Sequence, residues 1–325
     1  AFPIPASGVP RVMGDWAGRR ALVVGRAPSG VAAARALAAR GVAVTGSDSK
    51  SESELAVRGA GEVLEDLAAR GVEIELGSAD LRLLDHADVV VTSPGVPPTA
   101  PLLAEADERG IPVVGELELA WQLSRAPWVA ITGTNGKSTT TALAGVLFTA
   151  LGYETHVCGN IGVAATDEAL KAKPGSVIVA EVSSFQLERV VSFRPHVAVV
   201  LNLTPDHLDR HGSIEVYAGL KARVFAHQQP GDLAVLNADD PATVGWAGRY
   251  GIAAKTAYFH RAEMGAAAPA SGPLAEAIAA ADGAWLDSKG RSCSWAKPRS
   301  RRHRMASSWR AACRPVSWLR PAALR

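Results

Sequence analysis

The sequence has no long apolar run and few cysteines. Its longest apolar runs, such as Val197–Leu201, fall far short of the ~18 residues that a membrane-spanning helix needs. No basic segment followed by an apolar one opens the chain in the manner of a secretory leader. Cys158, Cys293 and Cys313 show neither a disulfide framework nor metal-type spacing. These absences predict no membrane span and favour a reducing, cytoplasmic location, with Cys158 a small buried residue.

Acidic residues are missing from the last part of the chain. Residues 288–325 carry eleven Lys or Arg and no Asp or Glu, whereas residues 1–287 carry 23 basic and 32 acidic side chains. The formal net charge of +2 therefore hides an acidic body and a basic tail. A basic tail can bind nucleic acid. The motifs in the rest of the chain point elsewhere, so we expect no nucleic-acid partner.

Strand-like apolar runs alternate with helical patterns over most of the 325 residues, 48% of which are hydrophobic. One series includes ALVVG and ADVVVTSPG; a second begins at WVAITG and includes VIVAEVS and VAVVLNL. Strands separated by helices of this length predict βαβ units and mainly parallel sheets. We therefore expect an α/β protein with units at residues 1–125 and 126–287, followed by a disordered basic tail over 288–325.

The stretch ITGTNGKSTTT joins a strand-like run to a long helical pattern. Its glycines let backbone amides face one point, and the helix N-terminus adds a partial positive charge. Lys137 can reach the β- and γ-phosphates of a nucleotide, and the Ser138 hydroxyl can join a Mg²⁺ shell. Ile131 occupies the position of the usual first glycine. A helix-capping turn is the alternative to a phosphate site formed by Gly133, Thr134, Asn135, Gly136, Lys137, Ser138 and Thr139.

Acidic and histidine side chains follow two further strand-like runs. Glu181 ends one run, and Asp206 and His207 follow the next. Parallel sheets bind ligands at the carboxyl ends of their strands, so an oxygen ligand for Mg²⁺ is favoured at Glu181 and a metal or substrate role at His207. The alternatives are a helix cap and a structural histidine. Without such support, we interpret the remaining nearby histidines as surface or packing residues: His196, His211 and His227.

The front of the chain carries a weaker signal. GRAPSG, Gly25–Gly30, is a dinucleotide-type fingerprint with Ala27 in place of the middle glycine, and Asp48 ends the second strand-like run. This pattern fits a cofactor site, a nucleotide-sugar site or tight helix–strand packing. The turn TSPG at the end of a later strand is either an ordinary β-turn or a ligand-contacting loop.

Seven stretches together resemble the Mur ligase family, in family order from Ala21 to about Pro241: TSPGVPP, GELELAW, ITGTNGKSTTTAL, CGNIG, AEVSSFQLE, LNLTPDHLDRHGSIEVYAGLKARVF and LNADDP. SSFQLE combined with DHLDRH is the most specific part, and SSFQLE favours the D-glutamate-adding branch. The resemblance implies a cytoplasmic, ATP-dependent ligase of peptidoglycan-precursor synthesis, and hence of cell-wall growth and division. In it, a precursor carboxylate is phosphorylated and an incoming amine displaces the phosphate.

The resemblance also implies an architecture and small-molecule partners. Residues 1–125 correspond to a Rossmann-like domain that binds the UDP-linked substrate, and residues 126–287 to a P-loop-type ATPase domain. The partners implied are UDP-N-acetylmuramoyl-L-alanine, D-glutamate and ATP with Mg²⁺, bound by a monomer. Another Mur-type ligase and a non-catalytic nucleotide-binding remnant remain alternatives, whereas a nicotinamide dehydrogenase leaves GTNGKST unexplained.

Individual roles are carried over from the resemblance onto matching positions. Lys137 contacts the ATP phosphates, Ser138 and Glu181 hold Mg²⁺, and His207 contacts a second metal ion or the substrate. Lys221 matches a lysine that the family carbamylates; by composition alone it is a solvated lysine. Carbamylation converts the cation into an anionic oxygen ligand. The substrate-contacting positions are Ser29, Asp48, Ser49, Lys50, Gly95, Asn160 and His207.

Two departures from the family pattern stand out. Lys50 stands where relatives often carry Arg, which weakens a bidentate phosphate contact. The family continues with a His-Asn-x-x-Asn-Ala stretch and a third domain for the incoming amino acid, but the chain reads RRHRMASSWRAACR near that place. We expect a frameshift or truncation near residues 285–291, with ligation by this chain impaired or absent. Met13 would be a natural start.

Overall fold

The computed structural model describes residues 16–51, 54, 61–77 and 79–260, and the backbone of residues 284–286 and 292–294. Among these residues, two parallel sheets follow one another along the chain. The predicted α/β class is therefore confirmed. Within the described part of the chain, no helix combines the length and apolarity needed to cross a bilayer.

The first sheet has five strands in the order β3-β2-β1-β4-β5, all parallel. Its central strands are almost wholly apolar and buried, as expected when helices cover both faces. Its strands are β1 Arg20–Val24, β2 Ala43–Asp48, β3 Glu73–Leu76, β4 Val89–Thr92 and β5 Val113–Gly115. Its helices are α1 Pro28–Ala38, α2 Gly61–Ala69, α3 Pro101–Glu108 and α4 Glu116–Leu123, with a 3₁₀ turn at Leu81–His86.

The second sheet has six parallel strands in the order β11-β10-β9-β6-β8-β7. They are β6 Trp128–Thr132, β7 Thr155–Gly159, β8 Val177–Glu181, β9 Val197–Val200, β10 Leu233–Asn237 and β11 Lys255–Phe259. The helices are α5 Lys137–Ala150, α6 Ala165–Lys171, α7 Ser184–Leu187, α8 Leu208–His211, α9 Ile214–Ala222 and α10 Trp246–Arg249, with a 3₁₀ turn at Arg223–Phe225.

A short antiparallel pair follows at the backbone level, β12 Ala284–Leu286 with β13 Ser292–Ser294. The predicted disordered tail thus contains a strand near its start. The rest of residues 288–325 lies outside the described residues, as does Met13.

Side chains of helix α4 form hydrogen bonds between the two units. The buried Glu118 carboxylate accepts hydrogen bonds from the backbone N–H groups of Val191, Ser192 and Phe193 at 2.9–3.1 Å. The Trp121 indole donates to the Arg194 carbonyl at 3.1 Å. Removing such a carboxylate would leave buried donors unpaired. A buried polar contact therefore joins α4 to the loop that precedes β9.

Strand order reverses direction around one strand in each sheet. β2 and β4 flank β1 in the first sheet, and β8 and β9 flank β6 in the second. In open parallel sheets such a reversal opens a crevice at the carboxyl ends of the strands, where ligands bind. The fold therefore marks two places for sites: the loop after β1 and the loop after β6.

Candidate functional site

The loop after β6 has the backbone of a phosphate cradle. Gly133 has φ +147° and Gly136, the N-cap of α5, has φ +81°, conformations that side chains rarely adopt. A Cβ on Gly133 would also lie 3.0 Å from Cβ of Leu201. Both glycines are thus required by the loop itself. The N-terminus of α5 points its free backbone amides at this place.

Asn202, directly after β9, holds the loop from the neighbouring strand. Its Oδ1 accepts from the N–H groups of Thr134 and Asn135 at 3.2 and 2.8 Å, and its Nδ2 donates to the Asn135 carbonyl at 3.0 Å. Thr204 adds a second contact, because its N–H donates to Thr134 Oγ1 at 3.0 Å. Asn202 was not predicted from the sequence. The available signal was its position at the end of a strand-like run.

Two lysines converge on the same loop. Lys137 Nζ donates to the carbonyls of Gly133 and Thr134 at 3.0 and 2.8 Å, and Lys221 Nζ donates to the Gly133 carbonyl at 2.9 Å. Lys221 is only 1% exposed, so its interpretation from composition as a solvated lysine is wrong. Burial, followed by the charge of Lys137, lowers the pKa of Lys221 to about 7, while Asp206 opposes the shift. This amine is therefore partly neutral near pH 7.

Glu181 ends β8 beside this loop, with Ile131 as its register partner on β6. The carboxyl group is buried; Oε1 accepts from Asn160 Nδ2 at 2.8 Å, and Oε2 has no hydrogen-bond partner among the described residues. The alternative role as a helix cap falls to Ser183, which forms a capping box with Gln186 at the start of α7. Two predicted site residues, Glu181 and Asn160, are thus in direct contact.

The donor set fits a magnesium ion shared with phosphates. Glu181 keeps a buried oxygen free of protein donors, and Ser138 is exposed in the first turn of α5. No group of three or more His, Cys, Asp or Glu side chains that could hold a metal occurs in the part of the chain that the structure describes. Mg²⁺ is commonly held by one or two carboxylates plus substrate phosphates, so a closed protein cage is not required.

His207 occupies a strained position at the start of α8. Its φ is +50°, the single positive value at a non-glycine residue among those described, and its side chain is 50% exposed. The imidazole lies 3.5 Å from Asp206 Oδ2 and packs against Phe185 with ring centroids 4.9 Å apart. Strain of this kind is common at functional sites. His211, by contrast, is buried and bonded to Ser184 Oγ at 3.0 Å, which makes it a packing residue.

A cleft of about 590 Å³ opens at the carboxyl edge of the first sheet. Asp48, Ser49, Lys50 and Gly95 line it, whereas Ser29 lies in the first turn of α1 and does not. The remaining lining comes mainly from Val24–Ala27 and the loop after β4. The cleft volume is typical of a site for a small organic ligand.

The Asp48 carboxylate organises the floor of this cleft. It accepts from the N–H groups of Arg26 and Lys50 at 2.9 and 3.0 Å. The glycine fingerprint also serves packing, because a Cβ on Gly30 would overlap the Gly25 carbonyl. Tight packing and a cleft therefore coexist here. Arg26, which the sequence analysis did not single out, also lines the cleft.

Two family models match this chain over the two sheets. Residues 19–115 match the Mur ligase MurD-like N-terminal domain, and residues 131–267 match the Mur ligase middle domain. Together they span more than half of the chain. The chain belongs to the Mur ligase family.

Curated relatives give the same result for this Mur ligase. A protein of Pelotomaculum thermopropionicum named UDP-N-acetylmuramoylalanine–D-glutamate ligase is 48% identical over 247 residues, 76% of this chain and 53% of the relative. A protein of the same name from Trichlorobacter lovleyi is 49% identical over 222 residues, 68% of this chain and 49% of the relative. The chain spans about half the length of the curated relatives it matches.

A solved structure supports the fold. The UDP-N-acetylmuramate:L-alanyl-gamma-D-glutamyl-meso-diaminopimelate ligase from Neisseria meningitides aligns with a TM-score of 0.52 and 16% identity, covering 85% of this chain and 84% of that one. At this identity the likeness concerns the fold alone. The motif-based resemblance to the Mur ligases is thus confirmed independently by the family models and the curated relatives.

Proposed function

We propose that this Mur ligase acts in ATP-dependent addition of D-glutamate to UDP-N-acetylmuramoyl-L-alanine, in the cytoplasm. The observation that carries the proposal is the 48% identity with a relative of that name, over both sheets. The site geometry supports it, because Lys221 bonds to the phosphate-type loop, and Glu181, held by Asn160, ends the strand beside the one that leads into this loop. Phosphorylation of a precursor carboxylate requires a site for ATP and a site for the precursor. The loop after β6 and the cleft at the carboxyl edge of the first sheet provide two such places.

We propose a division of labour between the two units. Residues 1–125 bind the UDP-linked precursor in the cleft beside Asp48, and residues 126–287 bind ATP at the Gly133–Gly136 loop. The cleft adjoins the N-terminus of α1, whose backbone amides favour a diphosphate. Lys50 supplies a further positive charge there. The joint around Glu118 holds the two units together.

The reaction needs activation of a poor electrophile. A precursor carboxylate oxygen attacks the γ-phosphorus of ATP, ADP leaves, and an acyl phosphate results. The amine of D-glutamate then attacks the acyl carbon, loses a proton and expels phosphate, leaving an amide. The loop amides and Lys137 bind and neutralise the phosphate oxygens, so this site contributes chiefly positioning and charge stabilisation.

Magnesium fits the same arrangement. Ser138 and Glu181 would hold one ion, with His207 and a carbamylated Lys221 near a second. When bound, such ions screen the charge on the phosphate oxygens. Lys221 suits carbamylation because its buried amine has a pKa of about 7 and is therefore partly uncharged, as attack on CO₂ requires. Asn160 keeps the Glu181 carboxylate in place through Oε1.

Trapping of the acyl phosphate tests the proposal on the chain itself. With ATP, Mg²⁺ and UDP-N-acetylmuramoyl-L-alanine but no amino acid, hydroxylamine should yield a hydroxamate. Lys137→Met and Glu181→Gln should abolish the product, whereas Lys173→Met, at an exposed lysine in the loop before β8, should not. UDP-N-acetylmuramate without alanine should be a poor substrate if the D-glutamate-adding assignment is correct.

Two outcomes separate the alternatives. Equal use of both precursors would favour another Mur-type ligase. Binding of ATP and precursor without any hydroxamate would indicate a non-catalytic nucleotide-binding protein. Ligation itself is then measured by adding D-glutamate, with L-glutamate as the stereochemical control.

A further inference from the structure

Arg210 on α8 connects the two units through a single guanidinium group. Its Nε and Nη2 donate to the two carboxylate oxygens of Glu188 at 3.1 and 2.6 Å. Nη2 also donates to the backbone carbonyls of Pro94 and Val96 at 3.4 and 3.2 Å. The side chains of Arg210 and Glu188 are only 18% and 11% exposed. Bidentate pairs of this kind fix orientation as well as charge.

The loop that Arg210 grips belongs to the precursor cleft. Gly95 and Val96 line the cleft after β4, and Ser93 in the same turn donates its hydroxyl to the Gly25 carbonyl at 2.9 Å. Any ligand that orders this loop therefore also acts on the carbonyls that Arg210 binds.

The other end of the connection is His207. Arg210 lies over the Phe185 ring at 4.6 Å, and the same ring packs against the His207 imidazole. Arg210 and His207 also share helix α8, where the Arg210 N–H donates to the His207 carbonyl at 3.1 Å. His207 holds a backbone conformation with φ +50°, which persists only when its surroundings fix it.

We propose that Arg210 is a positioning residue that couples the UDP-precursor cleft to His207. Ordering of the Pro94–Val96 loop by the uridine diphosphate group fixes the guanidinium, and the guanidinium with Phe185 fixes the imidazole at the reaction site. The inference rests on the proposed function, because it needs a nucleotide diphosphate in the cleft. It adds a route by which the precursor organises a residue of the other unit.

A second ion pair across the same boundary provides a matched control. Arg189 binds Asp107 of α3 in bidentate fashion at 2.9 and 2.7 Å. Arg189 lines a small cavity with Pro94, Val96 and Phe185, but within the described part of the chain its side-chain hydrogen bonds go to Asp107, and its side chain is 20% exposed. Loss of either arginine weakens the boundary, but only loss of Arg210 should uncouple His207.

The experiment records the imidazole resonances of the histidine-labelled chain at fixed pH and in the absence of metal ions. Spectra are compared with and without UDP. His207→Asn assigns the His207 signal. UDP should shift that signal in the unaltered chain and in Arg189→Lys, and the shift should disappear in Arg210→Met. Arg210→Lys keeps the charge but loses the fork, so it should give a reduced shift. UDP should bind Arg210→Met at least about fivefold more weakly, the lower end of typical coupling.

The outcomes distinguish this inference from the function on which it rests. Failure of UDP to bind the unaltered chain would refute the proposed precursor cleft and the coupling together. Binding of UDP with no shift at His207, or with the same shift in Arg210→Met, would overturn the coupling alone. An equal loss of the UDP-induced His207 shift in Arg189→Lys would overturn the coupling, because it would show that both arginines only hold the two units together. Thermal unfolding checks that each variant is folded. If Arg210→Met does not fold, the result for Arg210→Lys decides the question.

Discussion

Asn202 offers the sharpest test of how the phosphate-type loop is held. We predict that Asn202→Ala weakens nucleotide binding while leaving the fold intact. The side chain contributes three hydrogen bonds to Thr134 and Asn135, at 3.2, 2.8 and 3.0 Å, and is only half-buried. Its removal therefore loosens the loop more than the sheet.

The size of the effect follows from these contacts. Three hydrogen bonds at a net ~1 kcal/mol each give a ceiling of ~3 kcal/mol. Asn202 is only half-buried, so water replaces part of what is lost, and ~1–2 kcal/mol remains as the cost of ordering the loop. If the loop must be ordered to hold a phosphate, nucleotide affinity falls by about 5- to 30-fold, since 1.4 kcal/mol corresponds to about tenfold.

Isothermal titration with a non-hydrolysable ATP analogue measures this loss. Asn202→Asp keeps the acceptor but adds a negative charge beside the phosphates, so it should bind more weakly still. Asn237→Ala is the matched control, because Asn237 Nδ2 donates to the neighbouring Leu201 carbonyl at 2.8 Å and not to the loop. Affinity of Asn202→Ala within about twofold of the unaltered chain would refute the reasoning, as would an equal loss in Asn237→Ala.

Three further predictions concern stability and are measured by urea unfolding. Burial raises the pKa of Glu116 to about 7, so the stabilising contribution of this carboxyl group is present at low pH and lost as the pH rises through about 7. The stability of Glu116→Gln relative to the unaltered chain should therefore increase between about pH 5 and 8. A difference that does not change with pH would contradict this. Gly159→Ala should destabilise clearly more than Gly175→Ala, because both have φ near +100° (101° and 99°) but only at Gly159 would a Cβ overlap the Glu181 carbonyl; equal losses would exclude a clash. Burial lowers the pKa of Lys221 to about 7, so between about pH 7 and 10 only the unfolded chain carries the proton on this amine, and the free energy of unfolding should rise with pH in CO₂-free buffer. Lys221→Met should lack this rise. Parallel pH profiles of the two proteins would argue against a lowered pKa at Lys221.

Motifs at the ends of strands were the part of the site most open to prediction. Glu181, His207 and the Gly133–Gly136 loop each follow a buried run, and parallel pairing brings such ends to one edge. Periodicity alone does not tell whether a lysine on α9 faces water or the loop. The burial of Lys221 depends on the packing of that helix against the second sheet, and was therefore misjudged from composition.

The sequence by itself determined the α/β class, the family and the position of the phosphate-type loop, because alternation, glycine spacing and motif order are local properties of the chain. Tertiary structure alone decided which side chains support these motifs. Asn202, Glu118 and Arg210 act on residues far from them in sequence, at distances fixed by strand order and by the joint between the two sheets. Contacts of this kind depend on the relative placement of whole elements, which no local pattern records.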